Sequence, residues 1–176
     1  LGPKCRMTAS PEDLFAFLND HAIAHQTQWH DAVFTVEDSI SIKGTLPGIH
    51  SKNLFLKDLS GAHILISAQS HTKIRLNQLH RHIGSRRLSF AAPEALVEML
   101  GVTPGSVTAF ALINDPTCKV RFIADAALFA ADPVNFHPLI NTGTTAISRE
   151  DFKRFVAATG RPLEIVDFAA LATAPG

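Results

Sequence analysis

The chain has 176 residues and carries 16 Lys plus Arg against 16 Asp plus Glu, so its formal net charge at pH 7 is zero. This length fits one domain with a sizeable core, and the balanced charge does not by itself favour a nucleic-acid-binding protein. Because no apolar run approaches the roughly 20 residues that span a bilayer, and no signal-peptide pattern opens the sequence, a cytoplasmic protein without membrane contact is expected.

Helical and extended patterns follow one another irregularly along the chain. Residues 1–6 are expected to be a cloning remnant ahead of a natural start at Met7. Ser10 followed by Pro11 predicts a helix start, because the hydroxyl can cap the first turn and proline suits the first helical position. The further elements predicted in chain order are a strand over 32–37, a hairpin of 54–56 with 63–67, a helix over 72–83 ending at Gly84, a strand over 88–90, a helix over 93–100, strands over 107–114 and 119–128, a helix from Ser148 to Gly160, and a strand over 163–168.

These elements do not show the regular strand–helix alternation of a doubly wound parallel fold, which favours an α+β domain. The expected architecture is a single domain with a mixed β-sheet, barrel-like at its core, and surrounding helices. The domain is expected to span residues 7–168 and to be followed by a flexible, Ala-rich tail over 169–176.

Two motifs carry the most information about function. The first is LPGIHSKNLFLKD over 46–58, in which a Pro-Gly loop leads into a strand. The second is FHPLINTGTT over 136–145. Together they resemble the YbaK/prolyl-tRNA-synthetase editing-domain superfamily, and within it the free-standing branch of Ala-tRNA(Pro) deacylases called ProXp-ala. The resemblance extends over about residues 11–168, and it implies a YbaK-like fold and hydrolysis of an aminoacyl ester.

Lys52 and Asn53 stand at the start of the strand in the first motif. Neighbouring strand residues point to opposite faces, so these two side chains cannot share one task. From the residues alone, Lys52 could be a surface residue whose stem covers apolar neighbours, and Asn53 could satisfy local backbone groups. The resemblance implies that Lys52 lies at the aminoacyl-ester site, where it would anchor the terminal adenosine, while Asn53 supports the loop or the substrate.

His137 and Gly105 are the other two candidates for a role in catalysis. From the residues alone, His137 could be a packed core histidine, and Gly105 could belong to an ordinary helix-to-strand connection. The resemblance implies that His137 lines the aminoacyl pocket, and a positioning role is favoured because no Asp or Glu lies nearby in sequence to fix its tautomer. The segment GVTPGS over 101–106 resembles the family's glycine loop, where Gly105 would let backbone amides approach the ester carbonyl.

Two further sets of residues are candidates for the substrate pocket. Asn141, Thr144 and Thr145 would form either its polar wall or a turn in which they bond their own backbone. A small apolar pocket that admits alanine and excludes proline would provide selectivity, by the double-sieve argument. Its candidate residues, each at least equally compatible with plain core packing, are Ile23, Val33, Phe34 and Leu139.

Basic residues are concentrated in a segment over 60–92 that contains no Asp or Glu. A solvated helix face and a phosphate-binding surface both explain such a segment. Arg86, Arg87 and Lys73 are the candidates for contact with tRNA(Pro), whose acceptor stem and 3′ terminus are the partner that the resemblance implies. A transient contact with prolyl-tRNA synthetase or an elongation factor is left open.

Other catalytic strategies find little support in the sequence. Cys5 and Cys118 have no spacing typical of a disulfide framework or a zinc site, and no Gly-x-Ser-x-Gly elbow occurs. His80 and His82 would lie about 200° apart on a helix, so they cannot chelate one ion. No metal and no cofactor is expected, which leaves hydrolysis assisted by the substrate's own ribose hydroxyl.

The function expected is therefore trans-editing hydrolysis of mischarged Ala-tRNA(Pro) by a free-standing deacylase. The nearest enzyme alternative is the related YbaK type, which acts on Cys-tRNA(Pro). An alternative of a different class is a non-catalytic tRNA-binding or regulatory module that retains the fold.

Overall fold

The computed structural model describes residues 8–32 and 46–173. The strands there, in chain order, are β1 (Gln26–Trp29), β2 (Ile49–Asp58), β3 (His63–Gln69), β4 (Leu88–Phe90), β5 (Val120–Asp125), β6 (Val134–Phe136), β7 (Gly143–Ile147) and β8 (Glu164–Val166). The α-helices are α1 (Pro11–Asp20), α2 (Leu76–Ile83), α3 (Pro93–Leu100), α4 (Arg149–Ala158) and α5 (Phe168–Thr173). Segments of 3₁₀ helix lie at Pro104–Ser106, Ala109–Asn114 and Ala126–Phe129.

All of these strands join one eight-stranded mixed sheet. Its order is β1-β7-β6-β2-β3-β5-β8, and β4 pairs with β2. The pairs β2–β6, β3–β5 and β5–β8 are parallel, and the others are antiparallel. Strand β2 pairs with β6 near its start, with β4 near its end and with β3 along most of its length. The mixed sheet with its helices confirms the predicted α+β class.

The helix caps that the sequence predicts are present. The Ser10 hydroxyl accepts a hydrogen bond from the backbone N–H of Asp13, whose carboxylate accepts one from the N–H of Ser10. These reciprocal bonds satisfy donors that the first turn of α1 would otherwise leave unpaired. Ser148 caps α4 by accepting a hydrogen bond from the N–H of Asp151.

The sheet separates two apolar clusters. Because side chains alternate along a strand, Phe55 of β2 and Leu65 of β3 pack into the first cluster, whereas Leu56 and Ile64 pack into the second. The first cluster is rich in buried phenylalanines, and truncation of one such side chain to alanine typically costs about 3–5 kcal/mol. Its phenylalanines include Phe55, Phe110, Phe122, Phe136, Phe152 and Phe155.

Gly48 fixes the point where β2 enters the sheet. Its φ angle is +96°, and a Cβ atom there would clash with the carbonyl oxygen of Pro133. That same oxygen accepts a hydrogen bond of 2.8 Å from the N–H of Ile49. A glycine is needed at this position because both the left-handed backbone and the close approach exclude a side chain. The first motif is thereby fastened beside the start of β6.

The strand predicted over 107–114 is wrong. This segment contains the 3₁₀ helix at Ala109–Asn114, begun by Thr108, whose hydroxyl accepts from the N–H of Phe110. Residues 108–112 are all buried, so the run lacks the alternation that separates a half-buried strand from a buried helix. The strand predicted over 119–128 forms only over Val120–Asp125 and then turns into 3₁₀ helix.

Other predicted boundaries differ in smaller ways. Helix α2 begins at Leu76, later than the predicted 72, and the predicted hairpin lies within the β2–β3 ladder. The strand predicted over 32–37 falls, apart from Ala32, outside the described residues. Helix α5 occupies Phe168–Thr173, where the sequence predicted a strand end and a flexible tail. No helix of the described residues is long and apolar enough to cross a bilayer.

Candidate active site

The two sequence motifs meet where β2 begins and β6 ends. The two strands run parallel, with His50 opposite Asn135. Lys52 lies two residues further along β2, and His137 directly follows the last residue of β6. Both residues therefore lie two positions beyond the paired residues His50 and Asn135. Neighbouring strands are about 5 Å apart, so the backbones of Lys52 and His137 lie on adjacent chain segments at the same level of the sheet.

Lys52 has a partly buried side chain with a defined polar partner. Its ammonium group donates a hydrogen bond to the carbonyl oxygen of Thr72, and its backbone lies opposite Ala68 in the β2–β3 ladder. Burial lowers the pKa of Lys52, and the charge of Asp125 opposes this shift by raising it. The lysine is therefore directed to one point of the structure and does not extend freely into solvent.

Asp125 was not identified by the sequence reasoning. It is 0% exposed, and its Oδ2 atom accepts hydrogen bonds from the hydroxyl of Thr72 at 2.6 Å and from the N–H of Gln69 at 3.1 Å. Its Oδ1 atom accepts from the N–H of Ala127 at 3.2 Å. The only signal in the sequence was a carboxylate at the end of an apolar strand, because its partners depend on the parallel pairing of β3 with β5.

Asn53 faces the opposite side of the sheet and joins a chain of hydrogen bonds across three strands. Its side-chain oxygen accepts from the hydroxyl of Ser67, its direct partner on β3. Its amide donates to the Ser51 hydroxyl at 3.4 Å, and that hydroxyl donates to the carbonyl oxygen of Asn135 at 2.7 Å. This geometry suits a residue that holds β3, β2 and β6 in register.

His137 is oriented by the loop that follows it. Its Nδ1 atom lies 2.9 Å from the carbonyl oxygen of Gly143. A carbonyl can only accept, so Nδ1 carries a proton in this bond. A Cβ atom on Gly143 would lie 3.0 Å from Pro138 and from the Trp29 ring. A tightly packed backbone carbonyl thus fixes the direction of the imidazole.

Gly105 lies in an exposed 3₁₀ turn beside the second motif. A Cβ atom built on Gly105 would lie 3.4 Å from the amide nitrogen of Asn141. The turn Pro104–Ser106 therefore contacts the loop that carries His137. The structure brings together two segments that the sequence places more than thirty residues apart.

Thr144 and Thr145 point to opposite faces of β7 and so cannot form one wall. Thr145 is 0% exposed, and its hydroxyl lies 2.7 Å from that of Thr27 on β1. The Thr144 hydroxyl lies 2.8 Å from Nε2 of His30. Thr144 also lines an open cavity of about 400 Å³ together with Gln26, Gln28, Asn135 and Ala146.

The apolar pocket candidates that the structure describes belong to the core. Ile23 is 2% exposed and Leu139 is 5% exposed, and both pack in the first cluster. Leu139 has a φ angle of +72°, a left-handed conformation that is unfavourable for a bulky residue and is often found at functional sites. Val33 and Phe34 lie outside the described residues.

The three candidates for tRNA contact lie at two separate places. The N–H of Arg86 donates to Asp58 at 3.1 Å, and the carbonyl of Arg87 accepts from Leu59 at 3.1 Å, which fixes both arginines beside the turn that ends β2. Lys52 lies on β2 six residues before Asp58, the residue that binds Arg86. At ~3.3 Å per residue, the two ends of this stretch are about 20 Å apart. Lys73, in contrast, directly follows Thr72, whose carbonyl binds Lys52.

The described residues do not assemble a metal-type cluster. Within 8–32 and 46–173, no three His, Cys, Asp or Glu side chains are placed to hold one ion. Cys118 is exposed and forms no disulfide.

Comparison with known sequences gives a consistent picture. A family model described as the aminoacyl-tRNA editing domain matches residues 30–155. The chain is 34% identical over 155 residues to the prolyl-tRNA editing protein ProX of Acetoanaerobium sticklandii, covering 88% of this chain and 94% of that protein. It is 38% identical over 152 residues to prolyl-tRNA synthetase associated domain-containing protein 1 of Mus musculus, covering 84% of this chain and 89% of the relative.

Solved structures with similar folds are more distant in sequence. A crystal structure assigned provisionally as a trans-editing enzyme for prolyl tRNA synthetase superposes with a TM-score of 0.67 at 18% identity, covering 92% of this chain and 97% of that one. This likeness supports the fold alone, because the sequence identity is low.

Proposed function

Because the chain belongs to the aminoacyl-tRNA editing domain family, we propose that it is a trans-acting deacylase that hydrolyses the ester of mischarged Ala-tRNA(Pro). The relatives support the prolyl system, since one of them is named a prolyl-tRNA editing protein. Alanine as the amino acid removed is the finer part of the proposal, and it rests on the wording of the two motifs.

One observation carries the proposal: a partly buried lysine and an oriented histidine belong to two chain segments that the β2–β6 pairing brings next to each other. Lys52 belongs to β2, and its ammonium group binds the carbonyl oxygen of Thr72. His137 directly follows β6, the strand that pairs with the start of β2. A tRNA 3′ end presents a phosphate, ribose hydroxyls and an ester within a short distance. A fixed cation binds the phosphate or ribose, and an oriented ring positions the aminoacyl group next to it.

The reaction needs little chemistry from the protein. Water attacks the ester carbonyl carbon, the bond from that carbon to the ribose oxygen breaks, and the ribose oxygen takes up a proton, which releases the amino acid and the tRNA. The neighbouring ribose hydroxyl assists the attack. Holding ester, hydroxyl and water in register can contribute on the order of 7–11 kcal/mol.

Gly105 supplies the remaining part of the proposed mechanism. Negative charge develops on the carbonyl oxygen as water attacks, and backbone N–H groups stabilise such an oxyanion. Gly105 is exposed, and its turn Pro104–Ser106 lies against Asn141 in the loop of His137. A glycine at its centre leaves room for the ester to approach the backbone.

Selectivity in this proposal comes from the size of the pocket. A synthetase discriminates against a smaller amino acid by only about 1–3 kcal/mol per methylene, so a second site that excludes the larger amino acid is required. Ile23 and Leu139 both pack in the first apolar cluster, and in this proposal they line the pocket together with Val33 and Phe34. Proline would be excluded because its ring exceeds the space that alanine fills.

The test is a panel of Ala-, Cys-, Ser- and Pro-tRNA(Pro), each incubated with the protein and assayed for release of the amino acid. Release of alanine alone supports the proposal. Release of cysteine instead would assign the YbaK-type activity, and binding without release would indicate a non-catalytic tRNA-binding module. Each esterified tRNA is also incubated without protein, because aminoacyl esters hydrolyse spontaneously.

A further inference from the structure

Asp125 is a buried carboxylate that the proposed reaction does not use directly. Each of its oxygen atoms accepts hydrogen bonds from a neighbouring segment: Oδ2 from Thr72 and Gln69, and Oδ1 from Ala127. A carboxylate that is fully removed from solvent is costly unless such bonds compensate it. The residue therefore connects the ends of β3 and β5 at a fixed point.

Thr72 links this carboxylate to Lys52. Its hydroxyl donates to Asp125 at 2.6 Å, and its backbone carbonyl accepts from the Lys52 ammonium. Thr72 is itself buried, so both bonds lie in surroundings where electrostatic interactions are stronger than in water. Thr72 thus connects Asp125 at the end of β5 with the side chain of Lys52 on β2.

We infer that Asp125 and Thr72 are positioning residues for Lys52: the carboxylate binds the Thr72 hydroxyl and so fixes the Thr72 carbonyl that receives the ammonium. The effect on substrate rests on the proposed function, whereas the effect on Lys52 does not. Without this pair, the flexible lysine side chain would sample more rotamers.

Asp125 provides the negative charge in these surroundings. Burial lowers the pKa of Lys52, and Asp125 raises it. The other titratable residues on the adjoining segments are not acidic. They are His50 on the same strand face, His71 and Lys73 on either side of Thr72, and His137 after β6.

The direct test measures the pKa of Lys52 by NMR titration of ¹³Cε-labelled lysine, with Lys52→Met used to assign the signal. Asp125→Asn should lower the pKa of Lys52 below its wild-type value, because the ammonium loses a favourable charge. Asp58→Asn is the matched control. Like Asp125, Asp58 is a buried carboxylate, 7% exposed, that accepts hydrogen bonds from backbone N–H groups. Asp58 lies at the other end of β2 from Lys52. Asp58→Asn should therefore leave the pKa of Lys52 unchanged. An unchanged Lys52 pKa in folded Asp125→Asn would overturn the inference.

A second pair of variants keeps the buried charge, so it remains informative if Asp125→Asn does not fold. Thr72→Val removes the hydroxyl that binds Asp125, and Thr72→Ser retains it. Thr72→Val should lower kcat/KM for Ala-tRNA(Pro) about 10-fold, as expected for loss of a hydrogen bond to a charged group, and Thr72→Ser should restore most of it. Equal activity of the two variants would contradict the positioning role.

The pH profile distinguishes positioning from a structural role. If Lys52 acts as the ammonium, kcat/KM of Asp125→Asn should begin to fall at a lower pH than that of wild type, because the alkaline limb reports the free enzyme. A carboxylate with a merely structural role would lower activity without moving this limb. If wild type hydrolyses no tRNA(Pro) ester while the Lys52 pKa still falls in Asp125→Asn, the proposed function fails and the inference about Lys52 stands.

Discussion

The imidazole of His137 is tied to the carbonyl oxygen of Gly143, with 2.9 Å between Nδ1 and that oxygen. Gly143 lies six positions after His137 in the sequence, so the bond closes the loop between β6 and β7. The ring is thereby oriented by the backbone of its own motif. A carbonyl can only accept a hydrogen bond, so this partner requires a proton on Nδ1.

This bond predicts different outcomes for two substitutions of His137. In His137→Asn, the side-chain amide can still donate to the Gly143 carbonyl, so the folded loop and the melting temperature should be retained. His137→Ala should lose that bond. Both variants should lower kcat/KM for Ala-tRNA(Pro) by about 10²-fold, the lower end of the range for positioned acid–base groups. Wild-type activity in His137→Asn would show that the histidine only anchors the loop.

The hydrogen bond between Asn53 and Ser67 predicts energetic coupling across the β2–β3 ladder. Asn53→Ala would leave the hydroxyl of fully buried Ser67 without this partner, which should lower the free energy of unfolding by about 1–3 kcal/mol. In a double-mutant cycle with Ser67→Ala, the coupling should fall in the range of about 0.5–3 kcal/mol. Additive effects would mean that the two side chains do not interact.

The distance between the arginine pair and Lys52 predicts a division of roles in RNA binding. About 20 Å along β2 corresponds to about six nucleotides of stacked strand at ~3.4 Å each. Arg86→Ala with Arg87→Ala should therefore weaken binding of full-length tRNA and reduce its salt dependence, but leave hydrolysis of a short alanylated CCA fragment unchanged. Lys73→Ala, next to Thr72, should impair both substrates. If the double arginine variant lost as much activity on the alanylated CCA fragment as on full-length tRNA, this division of roles would be contradicted.

Asp58 predicts a pH-dependent contribution to stability. A hydrogen bond from the Ser60 hydroxyl, with others from backbone N–H groups of Ser60, Ala62 and Arg86, lowers the pKa of Asp58 below its ordinary value of 3.8. Its folded pKa is depressed, so its contribution is present above the unfolded value and is lost as pH falls through the folded value. The melting temperature of Asp58→Asn should be lower than that of wild type at neutral pH. The difference between the two melting temperatures should become smaller below pH 3.8. If the difference in melting temperature stays constant with pH, the ionised carboxylate of Asp58 is not the cause of that difference.

The sequence predicts those parts of the fold that depend on local patterns. The β2–β3 hairpin follows from alternation around a turn at Gly61, and the caps of α1 and α4 follow from Ser10 and Ser148. Strands β1 and β7 were missed because each is short and they pair with each other across a large separation in sequence. The 3₁₀ helix at Ala109–Asn114 was mistaken for a strand because a fully buried run has no polar face.

The same limit applies to the candidate site. Lys52, Asn53 and His137 were selected because their motifs resemble a family, and the structure places their segments together. Asp125 escaped notice because its importance depends on where β5 lies relative to β3, which a single sequence does not reveal. Strand alternation correctly separated Lys52 from Asn53, and it also separates Thr144 from Thr145, which had been assigned to one wall.

In the proposed function, the Lys52 ammonium holds the aminoacyl end of the tRNA. Lys52→Met preserves the length of the side chain and removes its charge, and because burial already disfavours the charged form, the protein should remain folded. The decisive measurement is single-turnover release of alanine from Ala-tRNA(Pro) by folded Lys52→Met. The account predicts a rate no higher than spontaneous hydrolysis, and release at the wild-type rate would contradict it.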